Sequence, residues 1–368
     1  MKKRFLGVLL SVAMVAAVLA GCGSSGAKET AAPAGSETEA ASEAASGETE
    51  AAGNTGDVIT VGFSQVGAES DWRTANSESM KSTFSTENGY NLIFDDAQQK
   101  QENQIAAIRN FIQQEVDYIV LAPVTESGWD TVLQEAKDAE IPVIIVDRMV
   151  DVSDDSLYTA WVGSNFKLEG QKACEWLKQY AAAKNMSEVN IVDIQGTIGA
   201  SAQIGRTEAL NEAVEANGWN LLAQQTGEFT QAKGQEVMES MLKQYDNINV
   251  VYCENDNEAF GAIEAIKAAG KTVGPDGDIL VMSFDTTKQG ITDTLSGDII
   301  VNTECNPLHG PRVEQFMKQV HAGESPEKQA YVEEGIYALG SDVASVSIDG
   351  TDYEVTEVTQ DVVDARAY

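Results

Sequence analysis

From residue 58 onward, short apolar runs rich in β-branched residues alternate with longer segments of helical periodicity. In the first half, the predicted strands cover residues 58–64, 91–95, 118–122 and 142–147. The clearest helix between them covers 101–114, where isoleucine and phenylalanine side chains fall on one face at spacings of three and four. Two of the strands are apolar on both faces, as parallel strands covered by helices on each side should be. The alternation predicts parallel β-α-β units.

The same rhythm begins again in the second half. The predicted strands there are 189–194, 220–223, 249–254 and 279–284, and the helices are centred on 201–216, 232–245 and 258–269. At 368 residues the chain is also too long for one ordinary domain. We therefore expect an α/β protein with two doubly wound lobes, each built around a parallel sheet.

The N-terminus has the layout of an export signal. Three basic residues precede an apolar run over 5–19, and residues 19–22 read Leu-Ala-Gly-Cys. This tetrad predicts a lipoprotein signal peptide over 1–22, cleaved so that Cys22 carries the lipid. The alternative is an uncleaved membrane helix, but the apolar run is short for a membrane span.

Residues 23–57 contain no valine, isoleucine, leucine, methionine or aromatic residue, and seven of them are acidic. Such a segment cannot bury enough apolar surface to offset its ordering entropy. We predict a disordered acidic tether. The folded body would then be extracytoplasmic, held at the outer face of the cell membrane by a lipid anchor only.

Composition excludes several kinds of function. The chain has 24 Lys and Arg against 58 Asp and Glu, and nucleic-acid binding needs clustered basic charge. His309 and His321 are too few for a His-rich metal site or a conventional catalytic triad. Apart from the predicted lipid attachment residue, Cys174, Cys253 and Cys305 suggest buried small side chains rather than a disulfide framework. We expect no cofactor and no metal.

Polar side chains and two aromatic rings follow the predicted strands. Parallel doubly wound sheets bind ligands outside the carboxyl ends of their strands. These residues are Glu69, Ser70, Trp72, Arg73, Asp95, Asp96, Asp147 and Arg148 in the first half, and Gln195, Arg206, Glu228, Phe229, Asn255, Asp256 and Asp285 in the second. The mixture suits a neutral sugar, because each hydroxyl both donates and accepts while the C–H face of the ring packs on aromatic planes. Each residue alone also fits a plainer role, such as a helix N-cap.

Several motifs resemble the periplasmic-binding-protein-like family of sugar ABC transporters, of the ribose-binding type. The matching segments are 61–65, 69–73, 98–105, 122–124, 128–129, 135–143, 147–148, 195–201, 234–240 and 255–256. The resemblance implies a type I periplasmic binding protein, whose two lobes are joined by a hinge. It implies capture of a monosaccharide and delivery to an ABC permease with its ATPase, by a protein that we expect to be a monomer.

The resemblance also implies a ligand-binding set. Its main members are Trp72, Arg73, Asp147, Arg148, Arg206, Phe229, Asn255 and Asp285. Arg73 stands where ribose-type relatives carry an aromatic residue, which favours the galactofuranose-binding branch. Weaker candidates are Glu69, Ser70, Asp96, Asn165, Asp256, Glu304 and Asn306.

Hinge crossings are expected near Gly163, Glu304 and Gly335. They would divide the body into an N-terminal lobe, 58–163 with 305–335, and a C-terminal lobe, 164–304 with 336–368. The stretch 340–358 is longer than in the galactofuranose-binding branch and is given no role.

Other classes of function fit less well. A retaining glycosidase needs two carboxylates about 5 to 5.5 Å apart, whereas adjacent acids such as Asp95 and Asp96 point to opposite faces of a strand. A repressor of this fold would begin with a basic helix-turn-helix rather than a signal peptide. A sugar-binding lipoprotein that reports to a sensor kinase stays an alternative, and so does another sugar such as ribose or galactopyranose.

Overall fold

The structure is a computed structural model that describes residues 58–368. The predicted signal peptide, Cys22 and the tether lie outside the described residues. Within this described part, no helix is long and apolar enough to span a membrane.

Strands and helices alternate through the described residues. The strands are β1 (Ile59–Gln65), β2 (Tyr90–Asp96), β3 (Tyr118–Leu121), β4 (Val143–Val146), β5 (Ala160–Gly163), β6 (Asn190–Gln195), β7 (Asn220–Thr226), β8 (Val250–Cys253), β9 (Leu280–Asp285), β10 (Val301–Glu304), β11 (Gln329–Tyr331), β12 (Ile336–Ala338), β13 (Ser345–Ile348) and β14 (Thr351–Glu357). The helices are α1 (Asp71–Thr83), α2 (Gln101–Gln113), α3 (Asp130–Asp138), α4 (Phe166–Ala183), α5 (Ser201–Asn217), α6 (Gln231–Gln244), α7 (Asp256–Ala268), α8 (Lys288–Ser296), α9 (Gly310–His321) and α10 (Gln360–Ala365).

The first sheet has the strand order β11-β5-β4-β3-β1-β2, and all of its pairings are parallel. Successive side chains of each strand enter opposite cores. Val120 and Val146 pack with residues of α1 and α9 on one face, while Ile119 and Ile145 pack with residues of α2 and α3 on the other. The centre of the sheet is therefore buried on both faces, which explains why β3 and β4 are apolar at every position.

The second sheet has the order β13-β14-β12-β10-β9-β8-β6-β7. Strands β6 to β10 pair in parallel, and β12 joins β10 in the antiparallel sense. Tyr252 packs against residues of α4 on one face, and Val251 packs against α6 and α7 on the other. The predicted fold class, two doubly wound α/β lobes, is confirmed.

The chain passes between the two sheets three times. It leaves the first sheet after β5, returns between β10 and β11, and crosses again between β11 and β12. The strands from β10 to β14 and the short β5 were not predicted, because they are short or carry polar residues at alternate positions. The stretch 340–358 contains the whole β13–β14 hairpin at the edge of the second sheet.

Candidate functional site

The carboxyl ends of the two sheets face one cavity. It contains about 300 Å³ of empty space, part of it open to solvent. Its lining residues are Glu69, Ser70, Trp72, Arg73, Asp147, Arg148, Phe166, Ala202, Arg206, Phe229, Asn255, Asp285 and Cys305. Elements of both lobes contribute, so a ligand in this cavity would be enclosed between them.

Arg73 joins two carboxylates of the first lobe. Ser70 caps α1 by accepting a hydrogen bond from the Arg73 backbone N–H at 3.1 Å, which fixes the first turn of the helix. Arg73 Nε lies 3.0 Å from Glu69 Oε1, and Nη2 lies 2.7 Å from Asp147 Oδ2. The remaining nitrogen, Nη1, is buried without a hydrogen-bond partner among the described residues. It is therefore a donor that a ligand could use.

Asp147 follows β4 in the left-handed backbone region, with φ of 63°, which few non-glycine residues adopt. Two bonds fix it there: its N–H donates to the Val162 carbonyl, and its own carbonyl accepts from the Trp161 indole. Burial raises the pKa of the carboxyl, but the charges of Arg73 and Arg148 outweigh burial and hold the pKa below its ordinary value. Asp147 is therefore ionised at neutral pH and can accept hydrogen bonds from ligand hydroxyls.

Arg148 presents unused donors to the cavity. Its Nη1 donates to the Val124 carbonyl at 2.8 Å. Its Nε and Nη2 lie 3.9 Å from the nearest oxygens of Asp147 and Glu69, too far for hydrogen bonds. Burial and the neighbouring Arg73 charge lower the pKa of Arg148 to about 10. Oxygen acceptors from a ligand would offset this cost of holding the charge.

Arg206 is the counterpart in the second lobe. Its Nε donates to Glu169 Oε2 at 2.8 Å, and its Nη1 donates to the Glu254 carbonyl at 2.5 Å. Nη2 is also 2.8 Å from Glu169 Oε2, but its alignment is too poor for a hydrogen bond. Asp285 Oδ1 lies 3.6 Å from Nη2. Burial lowers the pKa of Arg206, but the Glu169 and Asp285 charges outweigh burial and raise it, so the group stays a cation.

Asn255 and Phe229 hold each other in place. The Asn255 side chain caps α7 by accepting from the Glu258 N–H at 2.9 Å, and it donates to the Phe229 carbonyl at 3.2 Å. The Phe229 N–H donates to Glu258 Oε1 at 2.8 Å, and Phe229 itself has φ of 61°. Both residues thus use most of their polar groups to orient the ring toward the cavity.

Apolar side chains from both lobes form the walls. Trp72 in the first lobe belongs to one buried cluster with Phe166, Ala202 and Phe229 of the second lobe and with Cys305 between them. The Trp72 indole Nε1 donates to the Cys305 carbonyl at 2.6 Å, which fixes the plane of the ring. Flat rings on opposite sides of a cavity match the two faces of a ring-shaped ligand.

The cavity lining carries equal numbers of formally positive and negative side chains. Three arginines and three carboxylates line the cavity, so a neutral ligand that both donates and accepts fits better than an ion. The buried lining atoms without a hydrogen-bond partner among the described residues are Arg73 Nη1, Arg206 Nη2 and Glu69 Oε2. Buried polar atoms are normally paired, so these three indicate where ligand oxygens and hydroxyl protons would lie.

The two lobes are closed over the cavity. Three hydrogen bonds of 2.9 to 3.0 Å cross between them: Asp71 N to Asn257 Oδ1, Glu126 N to the Gly199 carbonyl, and Met149 N to Ser201 Oγ. A bound ligand would be shielded from bulk water, which strengthens each polar contact.

Ten of the predicted site residues line the cavity, and three of the weaker candidates from the strand ends do not. Asp96 is exposed and accepts from the Gln98 N–H, as a turn residue does. Asn165 caps α4 by accepting from the Leu168 N–H. Asp256 is fully buried and accepts bonds from Ser283, Thr287 and Asn302. These three residues therefore lie outside the cavity lining, and each is engaged in a local cap, a turn or a core hydrogen-bond network.

Glu304 and Asn306 also lie outside the cavity. Glu304 accepts from the Gly335 N–H and from Arg366. The Asn306 side chain accepts from the Leu308 N–H and so closes a turn. The two residues belong to the chain crossings between the lobes.

Phe166, Ala202 and Cys305 line the cavity but were not predicted. Phe166 opens α4 directly after β5, so the rule that ligands lie beyond strand ends would have found it had that four-residue strand been recognised. Glu169, which fixes Arg206, was also missed. Its position one turn into a helix gives no signal in the sequence.

One group of side chains has the composition of a metal site. Atoms of Glu169, Cys305 and Glu334 lie within 4.8 Å of one another. The two carboxylates already accept hydrogen bonds, Glu169 from Arg206 and Glu334 from Ser164. Burial raises the pKa of the Cys305 thiol, and a thiol is a poorer ligand than a thiolate. We assign this group to the crossings between the lobes rather than to a metal.

Two parallel-sheet lobes, linked by three crossings and closed on a cavity of balanced charge, define a class of protein that captures a small neutral ligand between its lobes. The comparisons with known proteins give this class a family. The periplasmic binding protein domain matches residues 61–302, and the chain belongs to that family.

Individual relatives agree in sequence and in fold. The chain is 42% identical to the galactofuranose-binding protein YtfQ of Escherichia coli (strain K12), over 76% of this chain and 87% of that protein. A crystal structure from Mycobacterium smegmatis in complex with β-D-fucofuranose is 44% identical, with a TM-score of 0.73 over 76% of this chain and 91% of that one. The crystal structure of a galactofuranose binding protein is 42% identical, with a TM-score of 0.72 over 76% and 94% of the two chains.

Proposed function

We propose that this protein is an extracytoplasmic solute-binding protein that captures one monosaccharide between its lobes and delivers it to an ABC importer. The observation that carries the proposal is the closed cavity. Its aromatic walls, balanced charges and three unpaired buried polar atoms match the apolar faces and the hydroxyls of a neutral sugar. Membership of the periplasmic binding protein family supports the same function.

The sugar that we propose is galactofuranose. The relatives named for galactofuranose and the structure with β-D-fucofuranose support a furanose ring. Within the cavity, the free Nη1 of Arg73 supports a ligand with a hydroxyl beyond the ring, where ribose-type relatives are expected to place an aromatic face instead. The exocyclic diol of galactofuranose would supply that hydroxyl. A site that pairs a hydroxyl discriminates against a ligand lacking it, because its own donor is left unpaired.

The roles of the site residues follow from their free groups. Arg148 and Asp147 would hold ring hydroxyls from the first lobe, as donor and acceptor. Arg206 and Asp285 would do so from the second lobe, while Trp72, Phe166 and Phe229 enclose the ring. Asn255 would bond the sugar with the N–H that it does not give to Phe229.

Lobe opening is proposed to occur by bending at the three crossings, near Gly163, Glu304 and Gly335. The moving bodies would be 58–163 with 305–335 and 164–304 with 336–368. Small-angle X-ray scattering should show a smaller radius of gyration with saturating sugar than without it. Identical scattering profiles in the two states would contradict a hinge.

The carboxylates of the cavity support binding without catalysis. Glu69 and Asp147 are held on Arg73, and Asp285 faces Arg206. A glycosidase needs one carboxyl free to give a proton to the leaving group and another placed to attack or to activate water. We therefore expect no hydrolysis of aryl galactofuranosides, and turnover of such a substrate would contradict this part of the proposal.

We further propose that the signal peptide 1–22 is removed and that Cys22 carries a lipid, so that the acidic tether 23–57 holds the body just outside the membrane. Cells fed radiolabelled palmitate should label the parent protein and not a Cys22→Ser variant. Equal labelling of the two proteins would contradict the lipid anchor.

A thermal-shift screen against furanose and pyranose sugars tests the proposed function. Ligand that binds only the folded state at a hundred times its Kd stabilises it by about 2.7 kcal/mol. A positive shift with D-galactose is expected, and no shift with any monosaccharide would contradict it. The alternative of a sensor lipoprotein shares the binding step. The genes beside this one distinguish the two, because a permease and an ATPase encoded there would support uptake and a sensor kinase would support signalling.

A further inference from the structure

Glu304 lies where two of the three chain crossings meet. It is the last residue of β10, and its N–H donates to the Gly335 carbonyl at 3.0 Å. Its side-chain Oε2 accepts from the Gly335 N–H at 2.8 Å. The second crossing is thus tied to the third by both backbone and side chain. In the sheet, Glu304 is also the register partner of Asp285, which lines the cavity.

The other oxygen of Glu304 accepts bonds from two residues more than sixty positions further along the chain. Oε1 lies 2.5 Å from Arg366 Nη1 and 2.8 Å from the Tyr368 hydroxyl, and those two groups lie 2.8 Å from each other. We call Glu304, Arg366 and Tyr368 the clasp. The Arg366 guanidinium also stacks 4.7 Å from the Tyr337 ring centroid.

The clasp is sheltered from solvent. The side chains of Arg366 and Glu304 are 7% and 11% exposed, so their attraction is screened far less than that of a surface pair. Helix α10 holds the segment on the second lobe, because Val358 and Val363 pack against Ile291 of α8. Lys288 of α8 donates to the Val363 carbonyl. Residues 358–368 are therefore held against the second lobe by several independent contacts.

We propose that Arg366 and Tyr368 are positioning residues for ligand binding, which fix Glu304 and, through it, the ends of β9 and β10. The clasp would hold the second-lobe ends of two crossings rigid and keep Asp285 at the cavity. Glu304 and Gly335 themselves would then stay fixed to the second lobe. Bending near them would be confined to the crossing residues on their first-lobe side, so that the lobes close on the ligand in one geometry. This inference rests on the proposed sugar-binding function.

An Arg366→Gln variant tests the clasp. It removes the charge and keeps much of the side-chain volume. Titration calorimetry with D-galactose should give an affinity about tenfold weaker than that of the parent. Amide hydrogen exchange of the sugar-free protein should be faster at Gly335, whose N–H is bonded to Glu304. Arg366→Lys keeps an ion pair with Glu304 and should recover part of the lost affinity.

The matched control is Arg109→Gln, which breaks an exposed two-bond pair with Glu135 on the first lobe. It should change neither the affinity nor the exchange at Gly335. Tyr368→Phe removes only a hydroxyl, so it tests the clasp even if Arg366→Gln does not fold. Its affinity for D-galactose should be about threefold weaker than that of the parent. Glu304→Gln and Arg366→Gln are also compared singly and together. The double variant should bind D-galactose no more weakly than the weaker-binding of the two single variants, because the two residues act as one unit.

Three results would overturn the positioning role: unchanged affinity in Arg366→Gln, a lower melting temperature with unchanged affinity, or fully additive losses in the double variant. If the parent itself binds no monosaccharide, the proposed function fails. The amide exchange rate of Gly335 in the sugar-free protein then tests the clasp independently of binding. An unchanged rate in Arg366→Gln would refute the clasp.

Discussion

Replacing Arg148 by alanine should weaken sugar binding strongly and leave the fold almost as stable. In the closed site, Arg148 uses one nitrogen on the Val124 carbonyl and keeps Nε and Nη2 free of protein hydrogen bonds. Its guanidinium carbon also lies 5.1 Å from the ring centroid of Phe229 on the opposite lobe. The side chain is therefore aimed at the ligand and at the second lobe.

The size of the effect follows from these contacts. A hydrogen bond to a charged group is worth about 1.5–3 kcal/mol, so losing two ligand bonds should cost about 3–6 kcal/mol. At about 1.4 kcal/mol per tenfold, this is a loss of a hundredfold or more in affinity. For the fold, losing the Val124 bond costs about 1.5–3 kcal/mol by the same rule. That loss is offset by relief of a buried charge whose pKa is lowered to about 10.

Titration calorimetry measures the affinity and thermal unfolding measures the stability of the same preparations. Arg148→Lys keeps a charge but loses the planar fork, and should bind between the parent and the alanine variant. Arg109→Ala removes an exposed arginine of the same lobe and should change nothing. If Arg148→Ala bound the sugar within a factor of three of the parent, the assignment of Arg148 as a ligand anchor would be wrong.

Three further predictions concern the ring wall, the closed lobes and the buried acids. A Cβ at position 196 would lie within 1.9–2.4 Å of the Phe229 ring, so Gly196→Ala should displace that wall and weaken binding at least tenfold by calorimetry; unchanged affinity would contradict the wall. Asn257→Ala removes the interlobe hydrogen bond from the Asp71 N–H. Losing about 1 kcal/mol should lower the affinity about fivefold, mainly through a faster sugar off-rate measured by stopped flow. An unchanged off-rate would show that this bond does not hold the lobes closed. Burial raises the pKa of Asp193 to about 7, well above its unfolded value, so its stabilising proton is bound at low pH and lost as pH rises through 7. Asp193→Asn should therefore raise the melting temperature at pH 8 and leave it nearly unchanged at pH 4, whereas an equal shift at both pH values would contradict this linkage.

The two lobes could be predicted because parallel strands buried on both faces leave a pattern that does not depend on tertiary detail. Runs such as 118–122 and 143–146 are apolar at every position, and the helices between them show their own period. The short strand β5 and the polar strand β14 give no such pattern. Their places depend on pairing with strands that are distant in sequence.

The main site residues could be predicted for a similar reason. In a doubly wound sheet the residues after each strand must converge, whatever their side chains do next. The sequence could not tell a ligand contact from a cap or from a core network, and Asp256 shows the difference. It follows a strand beside Asn255, yet it turns away from the cavity to accept bonds from Ser283, Thr287 and Asn302.

Glu304 shows most clearly what could not be predicted from the sequence. Its partners Arg366 and Tyr368 are more than sixty residues away in sequence, so no local pattern could have assigned it to the clasp rather than to the cavity. A buried carboxylate needs a charged or hydrogen-bonding partner, and the partners of Glu304 come from a distant part of the chain.

The most direct test of the sugar-binding account is titration calorimetry of D-galactose and D-ribose into the same preparation of the parent protein. The account predicts one site per chain and tighter binding of galactose, through its furanose form, because the exocyclic diol of galactofuranose would supply a hydroxyl for the free nitrogen of Arg73 and ribose is one carbon shorter. Equal affinities for the two sugars would contradict the galactofuranose assignment. The absence of binding by any monosaccharide would contradict the function itself.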